Sequence, residues 1–290
     1  MTKRELVADG LLLLTALIWG SAFAVVKTSL DSFAPGALIA MRYAIATLLT
    51  FLAFRKHMRG LTRGDVLRGA VVGACLAAAY IVQTIGMQYT TAGKNAFLTA
   101  VYVLLVPFGC FALFRQKIRR ASFLAAALSL VGIGLLSLDD VSGGLNIGDF
   151  LTLCGGALFA AHIISVEQGQ KKTDAYALIV LQFAFTAVYA LAYHLLFEQG
   201  RSLAFTLDSV GGMLYLAVFS TTIATSLQNI GQSMAPASHA AILLSLESVF
   251  GVAFSCLLLG ERLSPRMALG FAVIFAALMV NEFGSGKSKA

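Results

Sequence analysis

The sequence predicts an all-α polytopic membrane protein of ten transmembrane helices, built as two inverted five-helix repeats. Three observations predict it: the apolar composition, the placement of the basic residues, and a weak internal repeat. Of the 290 residues, 59% are hydrophobic and 12% are charged, whereas a soluble domain carries about 25% charged residues. A chain this apolar cannot cover a water-facing surface, so its solvent is lipid. A hydrocarbon core of ~30 Å needs roughly 20 apolar helical residues. Ten such runs occur, near 10–30, 35–54, 68–89, 93–114, 121–138, 149–168, 175–197, 209–231, 236–259 and 266–283. They are continuously apolar instead of alternating, which selects helices over barrel strands. The connections are short and leave no room for a soluble domain. The first run follows Lys3 and Arg4 like a signal segment, but it continues past Ala22-Phe23-Ala24 to Leu30, so a first span is expected.

Charge placement sets the expected orientation. With the N-terminus in the cytoplasm, fifteen Lys and Arg fall on inside segments and four (Lys94, Arg201, Arg262, Arg266) on outside ones, with Lys27 and Arg42 inside spans. This bias predicts both termini cytoplasmic and an even number of spans in the inner, cytoplasmic membrane. The basic clusters sit between apolar runs, so they signal membrane orientation and no nucleic-acid partner is expected. Cys75, Cys110, Cys154 and Cys256 lie far apart inside apolar runs and read as packing residues. No metal and no cofactor is expected.

The repeat appears on shifting the chain by 140 residues. Asp9 then meets Asp149, Trp19 meets Phe159, Lys27 meets Glu167, and Arg42-Tyr43 meets Gln182-Phe183. Further on the shift becomes 145: Gln83 meets Gln228, Lys94 meets His239, Tyr102 meets Glu247, and Gln116-Lys117 meets Glu261-Arg262. The expected halves are 1–140, holding spans one to five, and 141–290, holding spans six to ten. Five is odd, so the second half enters the membrane from the opposite side, an arrangement common in secondary transporters.

Several segments carry a resemblance. Leu17-Ile18-Trp19-Gly20-Ser21-Ala22-Phe23, Asn95-Ala96-Phe97-Leu98-Thr99 with Tyr102-Val103-Leu104-Leu105-Val106-Pro107, Ser245-Leu246-Glu247-Ser248-Val249-Phe250, and Leu259-Gly260-Glu261-Arg262-Leu263-Ser264 resemble the EamA-domain proteins of the drug/metabolite transporter superfamily. The likeness covers about 10–283. It implies a ten-helix fold and a central cavity lined mainly by spans one, three, four, six, eight and nine. It also implies alternating access and cargo such as amino acids, their derivatives or other small metabolites, with efflux the commoner direction. The sequence departs from the family at Glu247, where many members place a proline.

Candidate cargo-binding or coupling residues are polar or aromatic groups within the spans. Glu247 lies near the middle of the ninth run, where a carboxylate costs several kcal/mol unless paired, protonated or hydrated. It can carry a proton through a cycle or bind a cationic group; a protonated carboxyl bonded to a neighbouring helix is the structural alternative. Arg42 either binds a cargo carboxylate in bidentate fashion or anchors a peripheral helix. Gln83 and Gln228 occupy matched places, and Thr221, Thr225 and Gln228 share one α-helical face; interhelical bonding is their alternative role. His162 and His239 can relay protons or serve as bonded structural groups. Trp19, Phe23, Tyr80 and Tyr102 suit an aromatic wall, against core packing as the default. Gly20, Gly155 and Gly156 permit close helix approach, and Pro107 and Pro236 suggest kinks in spans four and nine, the expected gates with their neighbours three and eight.

No catalytic residue is expected. Gly-x-Ser-x-Gly, His-Glu-x-x-His and phosphate-binding loops are absent from the sequence. The expectation is a secondary transporter moving small organic metabolites by alternating access, with the bilayer and protons as further partners. Either a monomer or a homodimer is compatible with it. An intramembrane enzyme and a non-transporting structural membrane partner are the rival classes.

Overall fold

The computed structural model describes residues 3–118, 120–137, 146–200, 203–262 and 264–283, and all regular structure among them is helical. The helices are α1 (Lys3–Ser29), α2 (Pro35–Phe54), α3 (Arg63–Tyr89), α4 (Ala92–Thr99), α5 (Tyr102–Phe114), α6 (Arg120–Ser137), α7 (Ile147–Gln170), α8 (Ala175–Phe197), α9 (Leu207–Tyr215), α10 (Thr225–Gln232), α11 (Ala237–Leu244), α12 (Glu247–Leu259) and α13 (Pro265–Phe283), with a π-helical segment (Leu216–Ala224) between α9 and α10. Taking α4–α5, α9–α10 and α11–α12 as single spans, eight helical stretches among the described residues are long and apolar enough to cross a membrane. Two further helices, α6 and α13, pack on one another. Large apolar side chains such as Leu113, Leu196, Phe197 and Leu257 point outward, a surface that suits lipid and not water. The chain is an all-α polytopic membrane protein.

Capping explains where the helices start. Thr62 and Asp65 form a reciprocal capping box at α3, Asn146 and Asp149 form one at α7, and Thr206 and Ser209 form one at α9. Pro35 opens α2, where its missing N–H costs nothing. The Gly36 N–H donates to both carboxylate oxygens of the distant Glu198, at 3.0 and 3.1 Å.

The start of α4 is held from across the molecule. The Ala92 and Gly93 N–H groups donate to Glu261 Oε1 and Oε2 at 2.9 and 3.1 Å. Gly260 makes this reach possible: it ends α12 at φ 67°, in the left-handed region where glycine pays no steric penalty. The Gly260-Glu261 pair therefore ends one helix and caps another. Glu261→Ala is expected to cost about 1 kcal/mol of stability, read as a lower melting midpoint; an unchanged midpoint counts against the cap.

Two spans break in mid-course. Between α4 and α5 the chain tightens at Ala100–Val101, where the Ala100 and Val101 N–H groups donate three residues back, to Phe97 and Leu98 O, at 3.2 and 3.3 Å. Between α11 and α12 the same happens at Ser245–Leu246, with Leu246 N donating to Leu243 O at 3.3 Å and Ser248 N to Ser245 O at 3.0 Å. These are 3₁₀ turns. The prolines do not make them: Pro107 lies inside α5 and Pro236 is the N-cap of α11. Tyr102 and Glu247 are the first residues after the two breaks.

Packing contacts come in matched sets under exchange of α1 with α7, α2 with α8, α3 with α9–α10, α4–α5 with α11–α12, and α6 with α13. Thus α3 packs on α7 while α1 packs on α10 and the π segment; α1 packs on α12 while α7 packs on α5; α2 packs on α8 and α4 on α12. The α1–α12 crossing is close because it is made of glycines. A Cβ on Gly20 would meet Phe250 Cβ and the Gly251 backbone nitrogen, and one on Gly251 would meet Phe23 of α1 at 3.4 Å and, more closely, Ala96 Cβ of α4.

Candidate functional site

A cavity lies among α1, α2, α3, the two broken spans, α7, the π segment and α10. On α1 it is lined from Trp19 to Val26 and on α3 from Tyr80 to Met87, so it leans toward the end of the molecule where those helices finish. The other end is filled: Leu12 and Ala16 are fully buried, and Gly231 packs on Leu12.

Of the candidates singled out in the sequence, the cavity wall carries Trp19, Phe23, Arg42, Tyr80, Gln83, Tyr102, Gln228 and Glu247. His162 lies elsewhere. Its Nε2 is 3.0 Å from Gln182 Oε1, Gln182 Nε2 donates to Asn229 Oδ1 at 2.8 Å, and Asn229 Nδ2 donates to Thr225 O at 2.8 Å. That chain is closed and buried. Arg42 is not peripheral, because α2 packs along the π segment. Its Nε donates to Thr221 Oγ1 at 3.1 Å and its Nη2 to Ser220 Oγ at 3.3 Å, and its Cζ stands 5.2 Å from the Tyr80 ring centroid.

Glu247 is buried at the start of α12, just after the 3₁₀ turn. The Tyr102 hydroxyl, at the start of α5, adjoins the Glu247 carboxyl but has no aligned hydrogen bond. Gln83 Nε2 donates to Thr99 Oγ1 at 2.9 Å, whereas Gln228 Oε1 is buried without a partner. The matched glutamines thus differ: one amide nitrogen is engaged and one carbonyl is open. Trp19 Nε1 donates to Ser220 O at 2.9 Å.

The π segment changes one sequence expectation. Thr221, Thr225 and Gln228 share a face only on an uninterrupted α-helix. With the wider turns of Leu216–Ala224, Ser220 and Gln228 line the cavity, while Thr221 bonds Arg42 and Thr225 is buried away from it. Sequence reasoning missed Ser220, Thr84, Met87 and Ile163 on the wall; no charge or large polar group marks them within their runs.

At each end, a side chain at the start of one broken span reaches an aspartate at the start of α1 or α7. His239 Nε2 lies 2.8 Å from Asp9 Oδ1, and Lys94 Nζ lies 4.0 Å from Asp149 Oδ2. Each partner of the first tie matches one of the second under the sequence repeat. Lys27 donates to Met87 and Thr90 O, both at 2.7 Å, near the second tie. Asp9 and Lys27 are 18 residues apart on α1, about 27 Å along its axis, so the ties mark opposite ends.

Apolar spans around a buried cavity that holds one guanidinium and one carboxylate define a membrane transport protein for small solutes. The chain belongs to the EamA-like transporter family, whose model matches residues 6–138 and again 146–282. A protein of Archaeoglobus fulgidus described as an uncharacterized transporter is 34% identical over 283 residues, covering 96% of this chain and 87% of its own. The probable amino-acid metabolite efflux pump of Escherichia coli K12 is 24% identical, with 95% of each chain covered. The uncharacterized inner membrane transporter YedA of the same organism is 28% identical, over 93% of this chain and 89% of its own. One solved crystal structure superposes with a TM-score of 0.76, covering 97% of this chain and 99% of its own; at 15% identity this likeness is one of fold.

Proposed function

We propose that the protein is a secondary transporter that exports small organic metabolites, amino acids or related compounds, across the cytoplasmic membrane by alternating access. Residues 1–140 and 141–290 form two five-helix halves of opposite orientation, with both termini cytoplasmic. The matched packing contacts and the double family match support the two halves. One chain encloses the cavity, so a monomer suffices.

The observation that carries the reading is the pair of mid-span breaks whose first residues, Tyr102 and Glu247, meet on the cavity wall. Discontinuous helices with their N-terminal ends at a central site are the usual ion- and substrate-binding device of inverted-repeat carriers. Glu247 holds, in turn, a proton and the cationic end of the cargo. Competition for one carboxylate couples proton entry to cargo exit. Purified protein in liposomes, given labelled amino acids with and without an imposed pH gradient, is expected to show saturable uptake that the gradient drives. Absence of saturable movement of any panel member counts against the carrier.

The two ties act as end latches. The tight one, Asp9–His239, closes the filled end; the looser one, Lys94–Asp149, sits where the cavity leans. Asp9→Asn is expected to raise the population opened at the N-terminal end about fivefold, for a tie worth about 1 kcal/mol. Maleimide labelling of Leu12→Cys reads this directly. Unchanged labelling excludes a latch.

A further inference from the structure

Arg42 is a buried charge without a counter-charge among the described residues. Its side chain is 1% exposed, and a guanidinium in a protein does not shed its proton. Its hydrogen-bond partners, Thr221 and Ser220, are neutral hydroxyls. Among the described residues no carboxylate stands within ion-pair distance of it. A buried ion with neutral partners alone is strongly unfavourable, yet this one faces the cavity. Thr221, Ser220 and the neighbouring Tyr80 hydroxyl, all neutral, engage part of its five-donor fork.

The other half carries no such demand. The position matching Arg42 is Gln182, whose amide is consumed by His162 and Asn229. The cavity is therefore electrically lopsided. Glu247 is its second charge, and it makes no ion pair with Arg42. The Arg42 Cζ stands 5.2 Å from the Tyr80 ring centroid, and Arg42, Tyr80 and Glu247 line the same cavity. Two opposite charges that face one cavity and do not neutralise each other form a receptor for a molecule carrying both.

We infer that the cargo is a zwitterion, its carboxylate held by the free edge of the Arg42 guanidinium and its ammonium by Glu247 and the open Gln228 carbonyl. This rests on the cavity being the transport site, and it narrows the cargo: plain amines and plain organic acids satisfy one pole only. Phe23, Met87, Phe159 and Ile163 on the wall leave an apolar place for the side chain. Arg42 is then the specificity-determining residue for the anionic end, and it belongs to the first half alone, so the cargo has one orientation.

The chain has a single tryptophan, Trp19, and it lines the cavity, so its fluorescence reports occupancy. Titrate the purified full chain with leucine, leucinamide, 4-methylpentanoate and 3-methylbutylamine. Leucine is expected to bind at least about tenfold more tightly than the other three, because each lacks one charge-assisted pole. In Arg42→Gln, leucine falls to the level of leucinamide while leucinamide is unchanged. Arg42→Lys, which keeps the charge and loses the fork, is intermediate and guards against a folding defect in the first variant. Leucinamide binding as well as leucine, or Arg42→Gln preserving their ratio, overturns the assignment while leaving a binding cavity. If none of the four alters Trp19 fluorescence or competes for binding, both the zwitterion and the cavity as cargo site fall.

Discussion

Glu247→Gln is expected to abolish pH-gradient-driven accumulation of cargo, at least about tenfold in initial rate, and to leave the residual flux indifferent to pH. The substitution keeps the volume and removes the charge. Among the described residues nothing ties the fold to that charge: the carboxylate makes no ion pair, and its neighbour Tyr102 is uncharged. Burying a carboxylate in an apolar span is itself costly, so the variant is expected to be at least as stable as the parent. That separates function from folding. A lost gradient response with an unchanged or raised melting midpoint identifies a coupling group. A normal gradient response in Glu247→Gln removes Glu247 from the mechanism.

Gly20→Val is expected to cost about 2–3 kcal/mol or more of stability, roughly a 5–10 °C fall in melting midpoint for a chain of this size. The added Cβ meets main-chain atoms of α12 as well as Phe250 Cβ, and backbone cannot rotate out of the way as a side-chain tip can. Because α12 carries Glu247 and α1 carries Trp19, separating the two helices also spreads the cavity. Gly10→Val is the control. Gly10 stands on the same helix with nothing within 4 Å of an added Cβ, and the change is expected to stay within about 0.5 kcal/mol. Equal midpoints for the two variants mean that the crossing is looser than the structure has it.

The spans were legible because lipid leaves a crude signal: α2 and α8 coincide with the apolar runs 35–54 and 175–197. The lone charges and amides inside those runs were legible for the same reason. A residue such as Glu247 or Gln228 is conspicuous among leucines and alanines whatever its role. Arg42 was visible but could not be placed, because its importance depends on α2 packing along the π segment, a contact between distant parts of the chain. The breaks at Ala100–Val101 and Ser245–Leu246 left no proline or glycine mark. Short 3₁₀ turns arise from ordinary residues when the flanking helices are held elsewhere. Serine and threonine on the wall were hidden because such side chains commonly bond their own helix, as Thr99 does to Asn95 O at 2.8 Å.

The π segment also absorbs a difference in length. From the cap Thr62 to Gln83 the chain advances 21 residues, and from the cap Thr206 to Gln228 it advances 22. One added residue turns everything beyond it by about 100° on an α-helix, which would swing Gln228 off the wall. Widening one short stretch takes up the surplus and restores the phase on both sides. The stretch from Thr206 to Gln228 thus carries one residue more than that from Thr62 to Gln83 and still brings its glutamine to the wall. The bulge left behind offers Ser220 and Thr221 to the arginine of the first half.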